Sequence, residues 1–403
     1  MLVCAVLVTM VASAAPCPAT DGSSCSTCHN VRLSGVHAQL HCRDCHAGTG
    51  ANTVCARCHR QQQAILSGKM ASRSGEKEFC RRSWGRADKD FFSTNCSGCH
   101  LAACSDCHGS GHAVILPGAK QCYRCHNGYF VGWDFAGRAP REDSVRYQRG
   151  PRAQGRYYLK MRADIHAEAG MGCADCHSMA SLVRGDKSSA TCRTCHEPDK
   201  RIIEHSIAAH LKQMECSACH AAWAAQEYGT FYIRSENSSN GEYFRVADKK
   251  NNYIRSAYMR RQDAPPLGLN ASGKVAPLRP QFIAYYSAMR DNRPQGEENR
   301  LLLAQWKAFA PHTIRRAVPM CDSCHANRRR FLLQPLDKRR LRPDLDGLHL
   351  ESFWRQQGQQ VVNGSFYPAA RWQRLHSKTP LYRRKYVEKW REFLKTDAPS
   401  CAY

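Results

Sequence analysis

Past its first thirteen residues the 403-residue chain contains no run of eighteen apolar residues, which excludes a membrane-spanning helix from that stretch. It is short of acid: 34 Asp and Glu stand against 59 Lys and Arg, a formal charge of +25. That imbalance calls for an anionic counterpart, whether nucleic acid, an acidic surface, an anionic substrate or a bound anionic group. Apolar residues are also scarce for a chain of this length. At 42% apolar and a mean hydropathy of −0.57, the apolar content is modest for one large self-sufficient core. No βαβ pattern surrounds any Cys pair, which removes a thioredoxin-like reading.

What the chain has in abundance is Cys, 24 in number, together with 19 His. Twenty of the Cys fall into ten copies of C-x-x-C-H, numbered in chain order as motifs 1 to 10. The first five are Cys25, Cys28 and His29; Cys42, Cys45 and His46; Cys55, Cys58 and His59; Cys96, Cys99 and His100; and Cys104, Cys107 and His108. The second five are Cys122, Cys125 and His126; Cys173, Cys176 and His177; Cys192, Cys195 and His196; Cys216, Cys219 and His220; and Cys321, Cys324 and His325. Two thiols three residues apart reach the two vinyl groups of one haem, and the adjacent imidazole then lies under the iron as proximal ligand. Zinc ribbons also use C-x-x-C, but zinc has no need of His directly after the second Cys. His occurs about once in twenty residues, so ten in ten at that position is not chance.

With these motifs the sequence resembles a multihaem c-type cytochrome carrying ten covalently bound haem c groups. The resemblance implies a fold of mostly irregular loops and short α-helices wrapped round a packed haem chain, and a continuous electron path. Around it the sequence adds a small β-rich insert and C-terminal helices. A weaker resemblance, in composition only, is to the octahaem tetrathionate reductase and hydroxylamine oxidoreductase group. Every motif here ends in His, and there is no C-x-x-C-K.

Nine His remain as distal ligands: His37, His41, His112, His166, His205, His210, His312, His349 and His376. Nine cannot serve ten irons, so at least one haem carries another sixth ligand or none. His37, His112, His166, His210 and His312 each stand five to ten residues before a motif, where a helical turn can present a distal ligand. His349 and His376 have no motif beyond them.

The chain divides into an expected signal peptide over 1–14, a nine-haem domain over 15–220 with sub-blocks 15–126 and 127–220, a haemless aromatic and Arg-rich segment over 221–320, and a tenth haem with a basic helical C-terminal segment over 321–403. Residues 2–13 are apolar, too short to span a bilayer, and run into Ala12-Ser13-Ala14, a small-residue cleavage pattern. Export to the periplasm or cell exterior follows as an expectation. In the haemless segment, 229–234 and 243–247 read as a hairpin, 273–287 as extended chain broken by prolines, and 297–310 as a helix. Residues 383–395 read as an amphipathic helix.

Two patches stand apart from the motifs. The stretch 127–172 interleaves Tyr129, Trp133, Tyr147, Tyr157 and Tyr158 with Arg138, Arg141, Arg146, Arg149, Arg152, Arg156 and Arg162. In an oxyanion reductase such guanidinium groups orient an anion while Tyr or Lys donates protons. Lys160, Tyr158 and Arg156 are the catalytic candidates there, with Lys160 first, ahead of Met161 and Met171, as a non-His axial ligand. The simpler role for these arginines is to pair with haem propionates. The stretch 228–261 is similar, with Tyr228, Tyr232, Arg234, Tyr253 and Arg255 among its residues. Cys17, Cys80 and Cys401 fall outside the motifs and permit one disulfide.

These readings give an exported electron-transfer cytochrome as the first expectation. A multihaem reductase acting on a sulfur or nitrogen oxyanion is the second, and a subunit of an extracellular cytochrome filament or porin-cytochrome complex the third. Its partners are redox proteins or an extracellular acceptor, with self-association or a membrane complex open, and nucleic acid is not among them. A haem with two ionised propionates carries roughly −1 when ferric and −2 when ferrous, so ten bring the holoprotein to about +15 or +5. Much of the basicity then compensates the cofactors.

Overall fold

The computed structural model describes residues 33–46, 51–96, 100–109, 112–126, 135–138, 149–153, 156–160, 164–186, 188–237, 248–250, 252–339, 353–355 and 359–396. The expected signal peptide, all of motif 1 (Cys25, Cys28 and His29), Cys99, Met161, Cys17, Cys401 and His349 lie outside them.

Up to residue 220 the chain forms short helices, most of a single turn. The reason is local. In each described motif from 5 to 10 the His amide donates to the carbonyl of the first Cys, as His177 N to Cys173 O at 2.9 Å and His325 N to Cys321 O at 3.0 Å. One such turn places the two sulfurs on a single face with the imidazole beside them. Two small bridges interrupt the helices. β1 (Ser34–Gly35) pairs in parallel with β2 (Ala113–Val114). In the stretch between motifs 6 and 7, β3 (Phe135–Arg138), β4 (Arg149–Ala153) and β5 (Arg156–Lys160) form a three-stranded sheet in the order β3-β5-β4.

The insert is not small. After motif 9 the chain builds an eight-stranded sheet from β6 (Trp223–Glu236), β7 (Asp248–Lys250), β8 (Tyr253–Asp263), β9 (Leu267–Asn270), β10 (Val275–Arg290), β11 (Arg293–Pro294), β12 (Arg300–Ala308) and β13 (Gly364–Phe366). β10 is its spine, antiparallel to β9 and β12 and parallel to β6. Pro277 and Pro280 do not break it; the register shifts between Pro280 and Phe282, a bulge that accommodates a residue without an N–H. The strand at 229–234 lies within β6 and pairs with β8, while 243–247 lies outside the described residues.

Residues 297–310 are not a helix. Arg300–Ala308 is β12, and its buried positions Ala304, Trp306 and Ala308 alternate. The apolar spacing fits both periods, and pairing along β10 decides for the strand.

Alternation along β10 gives the sheet two buried faces. Ile283 and Tyr285 join Leu278, Trp306, Phe353, Trp354 and Val361 on one side. Ala284 and Tyr286 join Phe79, Cys80, Trp84, Phe91, Tyr232 and Tyr253 on the other. The second cluster fastens the sheet to the helices Ser74–Arg82 and Phe91–Asn95 that lead into motif 4. Trp84 Nε1 donates to Tyr285 O at 3.0 Å, and Asp88, with its side chain 1% exposed, accepts from Arg234 Nη1 at 2.7 Å and from the Tyr253 hydroxyl. Each such aromatic contributes roughly 1.5–3 kcal/mol by leaving water. The C-terminal helices Ala369–Ser377 and Thr379–Thr396 close the molecule, and the second includes 383–395 as the sequence predicts.

Candidate metal centres

Six motif histidines face a histidine from elsewhere in the chain. Ring centroids lie 6.0 Å apart for His59 and His37, 5.9 Å for His46 and His112, 6.3 Å for His177 and His312, 6.0 Å for His196 and His166, 6.0 Å for His220 and His205, and 6.1 Å for His325 and His210. With metal–nitrogen bonds of about 2.0–2.1 Å, two imidazoles on opposite sides of one ion have centroids about 6.3 Å apart, whereas a tetrahedral angle brings them to about 5.1 Å. The observed separations match the opposed arrangement. The interplanar angles range from 33° to 76°, since opposed ligation sets the separation of two rings and leaves their relative rotation to the surrounding protein.

Among the described residues no three His, Cys, Asp or Glu converge as a metal cluster. Two imidazoles alone leave the equatorial positions of an ion unfilled, and a porphyrin supplies four nitrogens in that plane. The donor set therefore suits haem and does not suit structural zinc.

The attachment thiols differ in their surroundings. Cys45 of motif 2 and Cys58 of motif 3 are exposed, as are Cys125, Cys192 and Cys195, while Cys42, Cys55 and the other described motif Cys are half-buried. A thioether sulfur is covered by its porphyrin rather than by side chains, so an open thiol on a one-turn helix suits attachment. Cys28, the corresponding residue of motif 1, lies outside the described residues.

Local structure orients the rings. Asp164, 2% exposed, caps the helix Ile165–Glu168 by accepting from His166 N and Ala167 N, and its carboxylate lies 3.6 Å from His166 Nδ1. His220 Nδ1 donates to Arg315 O at 2.9 Å, His108 Nδ1 to Ile115 O at 3.0 Å and His100 Nδ1 to Ala71 O at 3.0 Å. Such bonds fix the tautomer that leaves Nε2 free to ligate. Burial lowers His210 and, together with the neighbouring His210, lowers His325, keeping both neutral as ligands must be. Nδ1 of His205 is buried without a hydrogen-bond partner.

The motif sulfurs make a file. Burial and then Cys104 raise Cys55; burial and then Cys122 and Cys125 raise Cys107. Cys122 hydrogen-bonds Cys173, which drops to about 7; burial and then Cys195 raise Cys176. Cys192 hydrogen-bonds Cys216, which drops to about 6, and Cys219 is pushed up to about 11 by burial and then by Cys324. Neighbouring sulfurs thus link motifs 3, 5, 6, 7, 8, 9 and 10 in that order. Motif 2 joins beside motif 3, where Arg57 Nη2 donates to Asp44 O.

The remaining expected ligands fall differently. His41 is exposed, with its amide donating to Asp44 Oδ2. His376 lies flat on Trp372 at 4.7 Å and donates from Nδ1 to His325 O at 2.8 Å. Cys80 is 5% exposed with its Sγ 3.8 Å from Cys96 Sγ, and that contact followed by burial raises it. A thiolate is disfavoured there. The catalytic candidates Arg156, Tyr158 and Lys160 occupy every second position of β5, with Lys160 in register with Phe135 and Tyr158 with Arg138. Met171 N donates to His166 O, which puts that backbone beside the pair of motif 8.

Sequence reasoning missed Asp164 and Arg330. An Asp two residues before a His at a helix start is a readable cap signal for the first. Arg330 is 1% exposed and donates from Nη2 to Ala218 O at 3.1 Å, between motifs 9 and 10, and nothing in a run of three arginines marks which one is buried.

No curated protein and no solved structure matches the chain. Residues 165–232, which hold motifs 7, 8 and 9 together with His166, His205 and His210, match the family model of cytochrome c3, a multihaem c-type cytochrome.

Proposed function

We propose that the protein is an exported decahaem c-type cytochrome that carries electrons along closely spaced haems, most of them ligated by two His. The observation that carries this reading is the set of six opposed His pairs, each joining one motif to a His outside the motifs. The twenty motif Cys would hold ten haems by thioether bonds, with His29, His46, His59, His100, His108, His126, His177, His196, His220 and His325 proximal. Bound haem iron supplies a one-electron ferric–ferrous couple.

The chain's own part is positional. Two opposed imidazoles would keep the same ligand set on an iron in both oxidation states. The cap at Asp164 and the carbonyls of Arg315, Ile115 and Ala71 stop the rings from turning. Motif sulfurs are hydrogen-bonded between motifs 3 and 5, 6 and 7, and 8 and 9, and influence one another at the junctions between, a spacing that would suit hopping from motif 3 to motif 10. At the motif 10 end the helix Thr379–Thr396 lays Tyr382 5.2 Å from His325 and exposes Trp390 and Leu394 among Arg383, Arg384, Arg391 and Lys395. A redox partner with an acidic rim suits that surface. Export to the periplasm or beyond fits a chain whose cofactors attach after translocation, and among the described residues no helix is long and apolar enough to cross a membrane.

A second reading is an oxidoreductase with one catalytic haem acting on a sulfur or nitrogen oxyanion. It is favoured by His100, His108 and His126, none of which faces another His among the described residues. Intact mass and a pyridine haemochrome assay of the purified protein test the main proposal: ten haems per chain are expected, and a haem-free or zinc-loaded protein would overturn it.

A further inference from the structure

We infer that Arg330 sets the redox poise of one end of the sulfur file: its guanidinium, enclosed between motifs 9 and 10, favours the ferrous state at both and so draws electrons toward motif 10. The inference rests on the haem reading above and adds a direction to it.

Arg330 stands five residues after His325, in the short helical turn Arg328–Phe331. Its neighbour Phe331 packs with Ala218 of motif 9, Cys324 of motif 10, Tyr367 and Trp372 in one buried cluster. Arg330 Nη2 donates to Ala218 O at 3.1 Å, a carbonyl lying between Cys216 and Cys219 in the chain. Trp372 Nε1 donates to Cys324 O at 3.4 Å, which closes the same cluster over motif 10. The guanidinium thus stands against both motifs, and its charge acts on the thiols of Cys219 and Cys324 alike.

Burial sets this cation apart. The chain has 59 Lys and Arg, and among the described residues only Arg279 and Arg330 are buried. Arg279 lies in β10 with its guanidinium 5.1 Å from the centre of the Phe309 ring. An exposed cation is screened by water and salt, whereas a buried one keeps its field. The carboxylates on this side stand nearer solvent. The Asp322 side chain is 56% exposed and pairs with Arg383 at 2.7 Å, and half-buried Glu204 accepts from the Tyr386 hydroxyl.

Reduction adds one negative charge at an iron and changes no covalent bond; the electron comes from a neighbouring haem or an external one-electron donor. A fixed positive charge nearby lowers the energy of the reduced state. A buried unit charge acting over about 12 Å at an effective dielectric of about 20 changes the ferrous-to-ferric ratio about tenfold, a shift of about 59 mV in a one-electron couple. The sign holds whatever else the guanidinium touches, because replacing Arg330 subtracts one positive charge from the space between the two motifs.

Spectroelectrochemical titration of the holoprotein, with haem content counted on the same sample, tests this. In Arg330→Met a fifth of the haem absorbance, two haems of ten, should reduce at lower potential, with the ferrous-to-ferric ratio at a fixed potential down about tenfold. Arg330→Lys keeps the charge and loses the planar fork, so at about pH 6, where the ammonium holds its proton, it should titrate as the unsubstituted protein does. Arg330→Gln takes the place of Arg330→Met if that variant folds poorly. A neutral variant that titrates as the unsubstituted protein, a Lys variant that shifts as far as the neutral one, or a shift spread over all ten haems overturns the inference and leaves the ten-haem reading standing. Absence of covalent haem removes both.

Discussion

His312→Ala is the sharpest perturbation of the proposed ligation, because His177 precedes strands β6 to β12 in the chain and His312 follows them. The substitution removes the ring that faces His177. The neighbouring contacts are made by the backbone or by Thr313: Thr313 Oγ1 donates to Trp223 O at 2.5 Å, Ala222 N to Thr313 O at 3.0 Å, Arg315 N to His220 O at 2.9 Å and Ile165 N to Ile314 O at 3.1 Å. All of them survive truncation of residue 312. With ten motifs in the chain, one iron should leave the bis-imidazole class, about a tenth of the total haem signal. The vacated space has the shape of an imidazole, and a tethered ligand acts at an effective concentration of about millimolar, so free imidazole in that range or above should restore the band. Low-temperature electron paramagnetic resonance and magnetic circular dichroism read both steps. An unchanged spectrum, or a loss that imidazole does not restore, would refute the pairing.

Three further outcomes are expected. Asp88→Ala leaves the Tyr253 hydroxyl without its acceptor at the junction of sheet and helices while Arg234 keeps Glu236, and should cost about 1–3 kcal/mol; thermal unfolding followed in the far ultraviolet measures it. Trp306→Ala empties a fully buried site against Phe353, Trp354 and Phe366 and frees Gln359, a loss of about 3–5 kcal/mol that denaturant titration would show as a lower midpoint. Chain made without haem attachment should keep a protease-resistant core around β6–β13, whose interior consists of side chains, while residues 42–220 are digested; equal protection of both parts would contradict the view that haem organises the first part.

The metal chemistry was readable because it is local: a pentapeptide sets the sulfur spacing, and counting His bounds the ligation. Partner choice was not readable. The spacing of His37, His112, His166 and His312 before a motif suggests ligands delivered at each next haem, yet His37 faces motif 3, His112 motif 2, His166 motif 8 and His312 motif 7. A link of five to ten residues leaves its motif on one side of a haem and its distal His on a neighbour's, and only tertiary packing says which neighbour. The same holds for Arg300–Ala308, whose apolar pattern serves either period until β10 lies beside it. The C-terminal helix, with its face toward Glu204 and Ser206 marked by Tyr386 and Lys389, was legible because its period is unambiguous.

The crossed pairing also has a consequence in time. Chains are synthesised from the N-terminus, and for four of the six pairs the distal His precedes its motif: His37 before His59, His166 before His196, His205 before His220 and His210 before His325. Those irons find a ligand already waiting. His46 must wait for His112, and His177 for His312. The loops that close these two pairs are long, and the second encloses strands β6 to β12, so the site of His177 would be completed only once that part of the sheet has formed. Folding of the insert and completion of motif 7 would then be one event.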